Sequence, residues 1–85
     1  MTVKEAIDIV CASLDEVGIS PGGDCADWVP SELGIEGPNL DSLFGHIDKA
    51  MKAKGCTVIL GDEMWEDAES VKHFAKNMLR NAKCK

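Results

Sequence analysis

The chain has no tyrosine, only two tryptophans and two phenylalanines in 85 residues, and no apolar run approaching the length of a membrane span. It opens with no basic segment followed by an apolar stretch, so nothing argues for export and the expected compartment is the cytoplasm. Basic residues are scarce where they would matter for nucleic acid. Residues 1–48 hold ten of the fifteen carboxylates and a single base, Lys4. The net charge of −6 therefore excludes a phosphate-backbone grip, and the acidic half points instead to basic protein partners. The four cysteines form no Cys-x-x-Cys or Cys-x-x-His pair, which argues against zinc. With no export signal, Cys11, Cys25, Cys56 and Cys84 are expected to be reduced thiols, Cys11 packing as a small hydrophobe and Cys84 lying in a frayed basic tail. His46 and His73 have no partners at ligand spacing and are expected on helix surfaces. No set of nucleophile, base and oxyanion donors can be assembled, so the chain is not expected to be an enzyme.

What is present is helical periodicity in a chain of one domain, residues 1–85. Val3, Ala6, Ile7, Val10, Leu14 and Val17 recur at helical spacing, predicting a first helix over 2–17 with Thr2 as N-cap and Gly18 as stop. A long connection follows through Pro21-Gly22-Gly23, Pro30 and Gly37-Pro38. It carries Trp28, Val29, Leu33 and Ile35, so an ordered loop lying across helix ends is expected. The second helix is expected to open at an Asp41-Ser42 cap and to run with Leu43, Phe44, Ile47, Ala50 and Met51 on one stripe to Gly55. Cys56 to Leu60 could be a short strand, but with no evident partner it reads as an extended connection. A helical turn is possible around Asp62 to Trp65, with Trp65 either covering the core or serving as a partner-binding aromatic. The last helix carries Val71, Phe74, Ala75, Met78 and Leu79, with Asp67 or Ser70 near its start. The fold class is all-α: a small irregular bundle of three main helices plus a short fourth, with a long ordered loop between the first two.

A serine hydroxyl at a helix entrance can hold a phosphate ester against unpaired backbone N–H groups at the positive end of the helix dipole. The same Asp41-Ser42 pair is equally a helix cap. Three segments in order carry more: Ala26-Asp27-Trp28-Val29-Pro30-Ser31-Glu32-Leu33-Gly34, then Asp41-Ser42-Leu43, then Glu69-Ser70-Val71. This succession resembles an acyl carrier protein, across nearly the whole chain. The resemblance implies a 4'-phosphopantetheine arm on Ser42, donated from coenzyme A by a phosphopantetheinyl transferase with Mg²⁺, with Asp41 and Leu43 as its flanking site residues. The arm would carry acyl groups as thioesters between acyl-transferring or acyl-activating enzymes of fatty acid, lipid, lipopolysaccharide or polyketide synthesis, the carrier itself being a monomer. In typical members the Leu-Gly pair is almost adjacent to Asp-Ser-Leu, whereas here Ile35 to Leu40 intervene. Their second helix is usually acidic, whereas this one carries Lys49, Lys52 and Lys54, so its partners are expected to differ. The competing expectation is a small helical adaptor that binds a protein through its acidic surface and bears no prosthetic group.

Overall fold

The computed structural model describes every residue except Pro21, so that residue of the Pro21-Gly22-Gly23 connection lies outside the described residues. The described residues are mostly helical, with four α-helices and a two-stranded sheet among them. Helix α1 (Val3–Glu16) begins at a capping box. Thr2 Oγ1 accepts from the Glu5 N–H at 3.2 Å, and Glu5 Oε1 accepts from the Thr2 N–H at 3.1 Å. It ends where Gly18, at φ 82°, donates to Asp15 O, and Ile19 donates to Leu14 O. That pair of bonds needs a left-handed residue, which glycine supplies without steric cost. Ala6, Val10 and Leu14 of the predicted stripe are buried, Val3, Ile7 and Val17 are half-buried, and Ile9 and Ser13 join the inward face, which is turned slightly from the predicted one.

The connection after α1 is ordered, as its apolar content demanded. It contains two 3-10 turns, Cys25–Asp27 and Pro30–Leu33. Trp28 is its hub: the indole Nε1 donates to Gly22 O at 2.7 Å, and Trp28 O accepts from the Val71 N–H at 2.8 Å. The second bond ties the loop to the start of the last helix. A disulfide between Cys11 and Cys25 ties it to α1.

Helix α2 runs Pro38–Ala53, three residues ahead of the predicted Asp41 start. Proline ends helices when it falls inside them, but at the first helical position its missing N–H costs nothing and its fixed φ suits the helix. Leu40 then joins Leu43, Ile47 and Met51 on the buried face. The stretch from Ile35 to Leu40 is therefore not a loop extension: its second half is the first turn of α2. Asp41 and Ser42 do not cap the helix, because Gly37 occupies the N-cap position and no side chain bonds there.

Strand β1 (Cys56–Thr57) pairs antiparallel with strand β2 (Lys83–Cys84), in the register Cys56 with Cys84 and Thr57 with Lys83. A second disulfide joins Cys56 to Cys84. Three expectations are corrected together: the cysteines are not reduced thiols, the 56–57 segment has a strand partner, and the C-terminal tail is pinned. The partner lies 26 residues away in sequence, a distance at which periodicity carries no signal. Helix α3 (Asp62–Glu66) follows, and then helix α4 (Val71–Asn81), whose N-cap Ser70 Oγ accepts from the His73 N–H at 3.0 Å. His73 and His46 are both half-buried on helices.

Helix α1 packs against both α4 and α2, while α3 bridges α4 and the Pro30–Leu33 turn. Their shared core holds Leu14, Leu43, Ile47, Met51, Phe74 and Met78, all solvent-excluded. Trp65 is buried among them with its ring 4.9 Å from that of Phe74 at an interplanar angle of 81°, an edge-to-face pair. It is a core residue rather than an exposed partner anchor. Its Nε1 has no hydrogen-bond partner among the described residues. No described helix is long and apolar enough to cross a membrane.

Candidate functional site

The candidate attachment residue, Ser42, is the fifth residue of α2, roughly 6 Å along the axis from Pro38 at 1.5 Å per residue. Ser42 and Asp41 are both exposed, and Leu43 is fully buried. The structure keeps the three together on one helical turn, with the first two facing water and the third anchoring the turn to the core. A hydroxyl is therefore accessible, but its electrostatic setting differs from the one a helix entrance provides. Past the first turn, backbone N–H groups point along the helix to carbonyls four residues back and cannot receive a phosphate.

Among the described residues the Gly37 and Asn39 N–H groups donate to no backbone carbonyl. Pro38 has no N–H, while the Leu40 and Asp41 N–H groups both donate to Gly37 O, at 3.1 and 3.2 Å. That leaves few free donors, and the Asp41 carboxylate in the first turn already complements the dipole. The helix-entrance position carries Gly37, at φ 60° and ψ −135°, which has no side-chain nucleophile. The backbone around Ser42 is thus inside the helix, its N–H groups turned along the axis and not toward the hydroxyl. The sequence held the signal for this arrangement in Gly37-Pro38 followed by Leu40, but it reads equally as loop punctuation.

The acidic half of the chain builds a different feature. A groove of about 290 Å³ runs between α1 and α2, lined by the carboxylates of Glu5, Asp8 and Glu16, by His46 and Lys54, and by the apolar Ile9, Ala12 and Ala50. Two contacts span it: His46 Nδ1 lies 2.7 Å from Glu16 Oε2, and the Lys54 ammonium pairs with Glu5 Oε2 at 3.7 Å. The Glu5 carboxyl is held below its ordinary value, first by the Thr2 N–H, then by the Thr2 hydroxyl, with a smaller contribution from the Lys54 charge. Lys52 pairs with Asp48 at 2.9 Å, one turn back on α2. Two of the three lysines that distinguish α2 are therefore engaged by carboxylates, and the helix is less basic outwardly than its sequence reads. Among the described residues no group of three or more His, Cys, Asp or Glu side chains is placed to hold a metal ion. Compared with known protein families, characterised proteins and solved structures, the chain matches none.

Proposed function

We propose that the chain is a small, disulfide-stapled docking module: an irregular helical bundle with carrier-like element order that binds a protein partner through its acidic α1–α2 groove and bears no prosthetic group. The observation that carries this reading is the residue at the entrance of α2, which is Gly37 and not a serine. A phosphate ester is stabilised by unpaired N–H groups at a helix start, and the one hydroxyl of the Asp41-Ser42-Leu43 motif lies beyond them. The groove supplies what a docking module needs, apolar side chains among carboxylates of which Asp8 makes no ion pair among the described residues while Glu5 and Glu16 face Lys54 and His46. Its excess of carboxylates over bases suits a Lys- or Arg-bearing helix as partner. Two disulfides support a protein that works in an oxidising environment rather than the cytoplasm.

A second reading retains one observation in its favour. Ser42 is exposed beside the Asp41 carboxylate, so the family likeness still allows an acyl carrier with 4'-phosphopantetheine on Ser42, serving a transferase and acyl-handling enzymes. The two separate cleanly by intact-mass measurement after incubation with coenzyme A, Mg²⁺ and two broad-specificity phosphopantetheinyl transferases. The docking reading expects unmodified protein with both. An adduct that disappears in Ser42→Ala would replace it with the carrier.

A further inference from the structure

We propose that the segment Val58–Leu60 is a second docking edge, which takes an extended acidic peptide by strand addition next to β1. This goes beyond the α1–α2 groove, lies on a different part of the surface and has the opposite charge preference. Three observations converge on it. Ile59 is 93% exposed, the one large hydrophobic side chain left in water among the described residues. A single exposed apolar residue means little by itself. Here, however, the backbone around it is also unsatisfied.

Burial alternates along the segment, with Cys56 buried, Thr57 exposed, Val58 half-buried, Ile59 exposed and Leu60 half-buried, the period-two pattern of an extended chain. The β1–β2 ladder stops at Thr57, because β2 begins at Lys83 directly after α4 and the Ala82 N–H turns back to Leu79 O. Among the described residues no backbone hydrogen bond continues the ladder along Val58 to Leu60. Unpaired extended backbone at a sheet edge is a template for another strand, and proteins that do not use such an edge commonly block it with charge or proline. Neither residue type occurs between Val58 and Leu60.

The surroundings choose the partner. Ile59 and Val58 border a groove of about 400 Å³, together with Lys52, Lys83, Asp48 and Asn81. Asp48 is paired with Lys52, which leaves the Lys83 ammonium as the groove's net charge. Among the described residues Lys83 makes no ion pair. An incoming strand would lay an apolar side chain over Ile59 and a carboxylate beside Lys83, while its main chain pairs with Val58 and Leu60.

The test titrates the full oxidised ¹⁵N-labelled chain with a ten-residue peptide of alternating Glu and Leu, using a Lys/Leu peptide of the same length as control. Saturable amide shifts confined to Thr57–Leu60 and Lys83, with slowed exchange of the Val58 or Leu60 amide, are expected from the Glu/Leu peptide alone. Ile59→Ser should weaken binding at least tenfold without changing the melting temperature, and Lys83→Glu should weaken it and remove its salt dependence. Shifts centred elsewhere, equal binding of the Lys/Leu peptide, or unaltered affinity in both variants would overturn the proposal. None of these outcomes depends on whether Ser42 is modified, so this edge and the module reading stand or fall separately.

Discussion

Reduction of the two disulfides should bring this chain close to unfolding. The Cys11–Cys25 bridge spans 14 residues and Cys56–Cys84 spans 28. Loop-closure entropy assigns about 3 kcal/mol to the first and about 3.5 kcal/mol to the second. An 85-residue domain has a total stability of roughly 4–13 kcal/mol at the usual per-residue figure, so losing both is comparable to the whole. The structural consequences differ between the bridges. Without Cys11–Cys25, the loop is still tied to the start of α4 by the Trp28 O bond to the Val71 N–H and to the core by the buried Pro30 and Ile35. Without Cys56–Cys84, two residues of strand pairing and the Lys85 N–H bond to Gly55 O must retain the C-terminus. Urea denaturation, followed by tryptophan fluorescence with and without a phosphine reductant, measures the loss. With a slope of about 1 kcal/mol/M for a domain this small, each bridge should move the midpoint by roughly 3 M. The paired variants Cys11→Ala/Cys25→Ala and Cys56→Ala/Cys84→Ala separate the two contributions. A midpoint that moves by only a few tenths of a molar on full reduction would refute the view that the fold depends on these staples.

Three further outcomes follow from single residues. Gly37→Ala should cost about 1–3 kcal/mol from backbone strain alone, because its φ of 60° disfavours a side chain although an added Cβ would meet open space. An unchanged melt would contradict the observed N-cap geometry. The Glu5 carboxyl is lowered from its ordinary value of 4.5, so the stabilisation it gives the start of α1 is present above that pH and is lost as pH falls through the folded value. The Thr2 amide shift should therefore titrate with a midpoint below 4.5, and in Glu5→Gln the transition should vanish; a midpoint at or above 4.5 would count against the capping box. Trp65→Phe removes an unpaired buried N–H, worth about 1–3 kcal/mol, which offsets part of the lost volume. A net loss under about 1.5 kcal/mol is expected on that balance, whereas a loss above 3 kcal/mol would mean that Nε1 has a partner such as a buried water.

The parts of the fold written in local chemistry were legible. Thr2 and Ser70 stand directly before apolar stripes at helical spacing; Thr2 caps α1 as read, and of Asp67 and Ser70, both read near the start of the last helix, Ser70 is the cap. Trp28, Leu33 and Ile35 required a loop that buries side chains, and the connection is ordered around Trp28. The start of α2 misled because proline is both a helix terminator and a favoured first residue; only the phase of Leu40 with Leu43 and Ile47 distinguishes the two roles. The β1–β2 pair and both disulfides are contacts between distant segments, and nothing within a local window encodes which cysteine meets which. For the candidate site, Asp41, Ser42 and Leu43 lie on one helical turn as their spacing implied. The helix start at Pro38, three residues ahead of Asp41, alters what that turn can do.

The most direct measurement of the account is the intact mass of the oxidised chain after exposure to coenzyme A, Mg²⁺ and phosphopantetheinyl transferases, beside Ser42→Ala. A docking module whose α2 begins at Gly37-Pro38 remains unmodified. A stoichiometric phosphopantetheine adduct that is absent from Ser42→Ala would contradict it and make this chain a carrier.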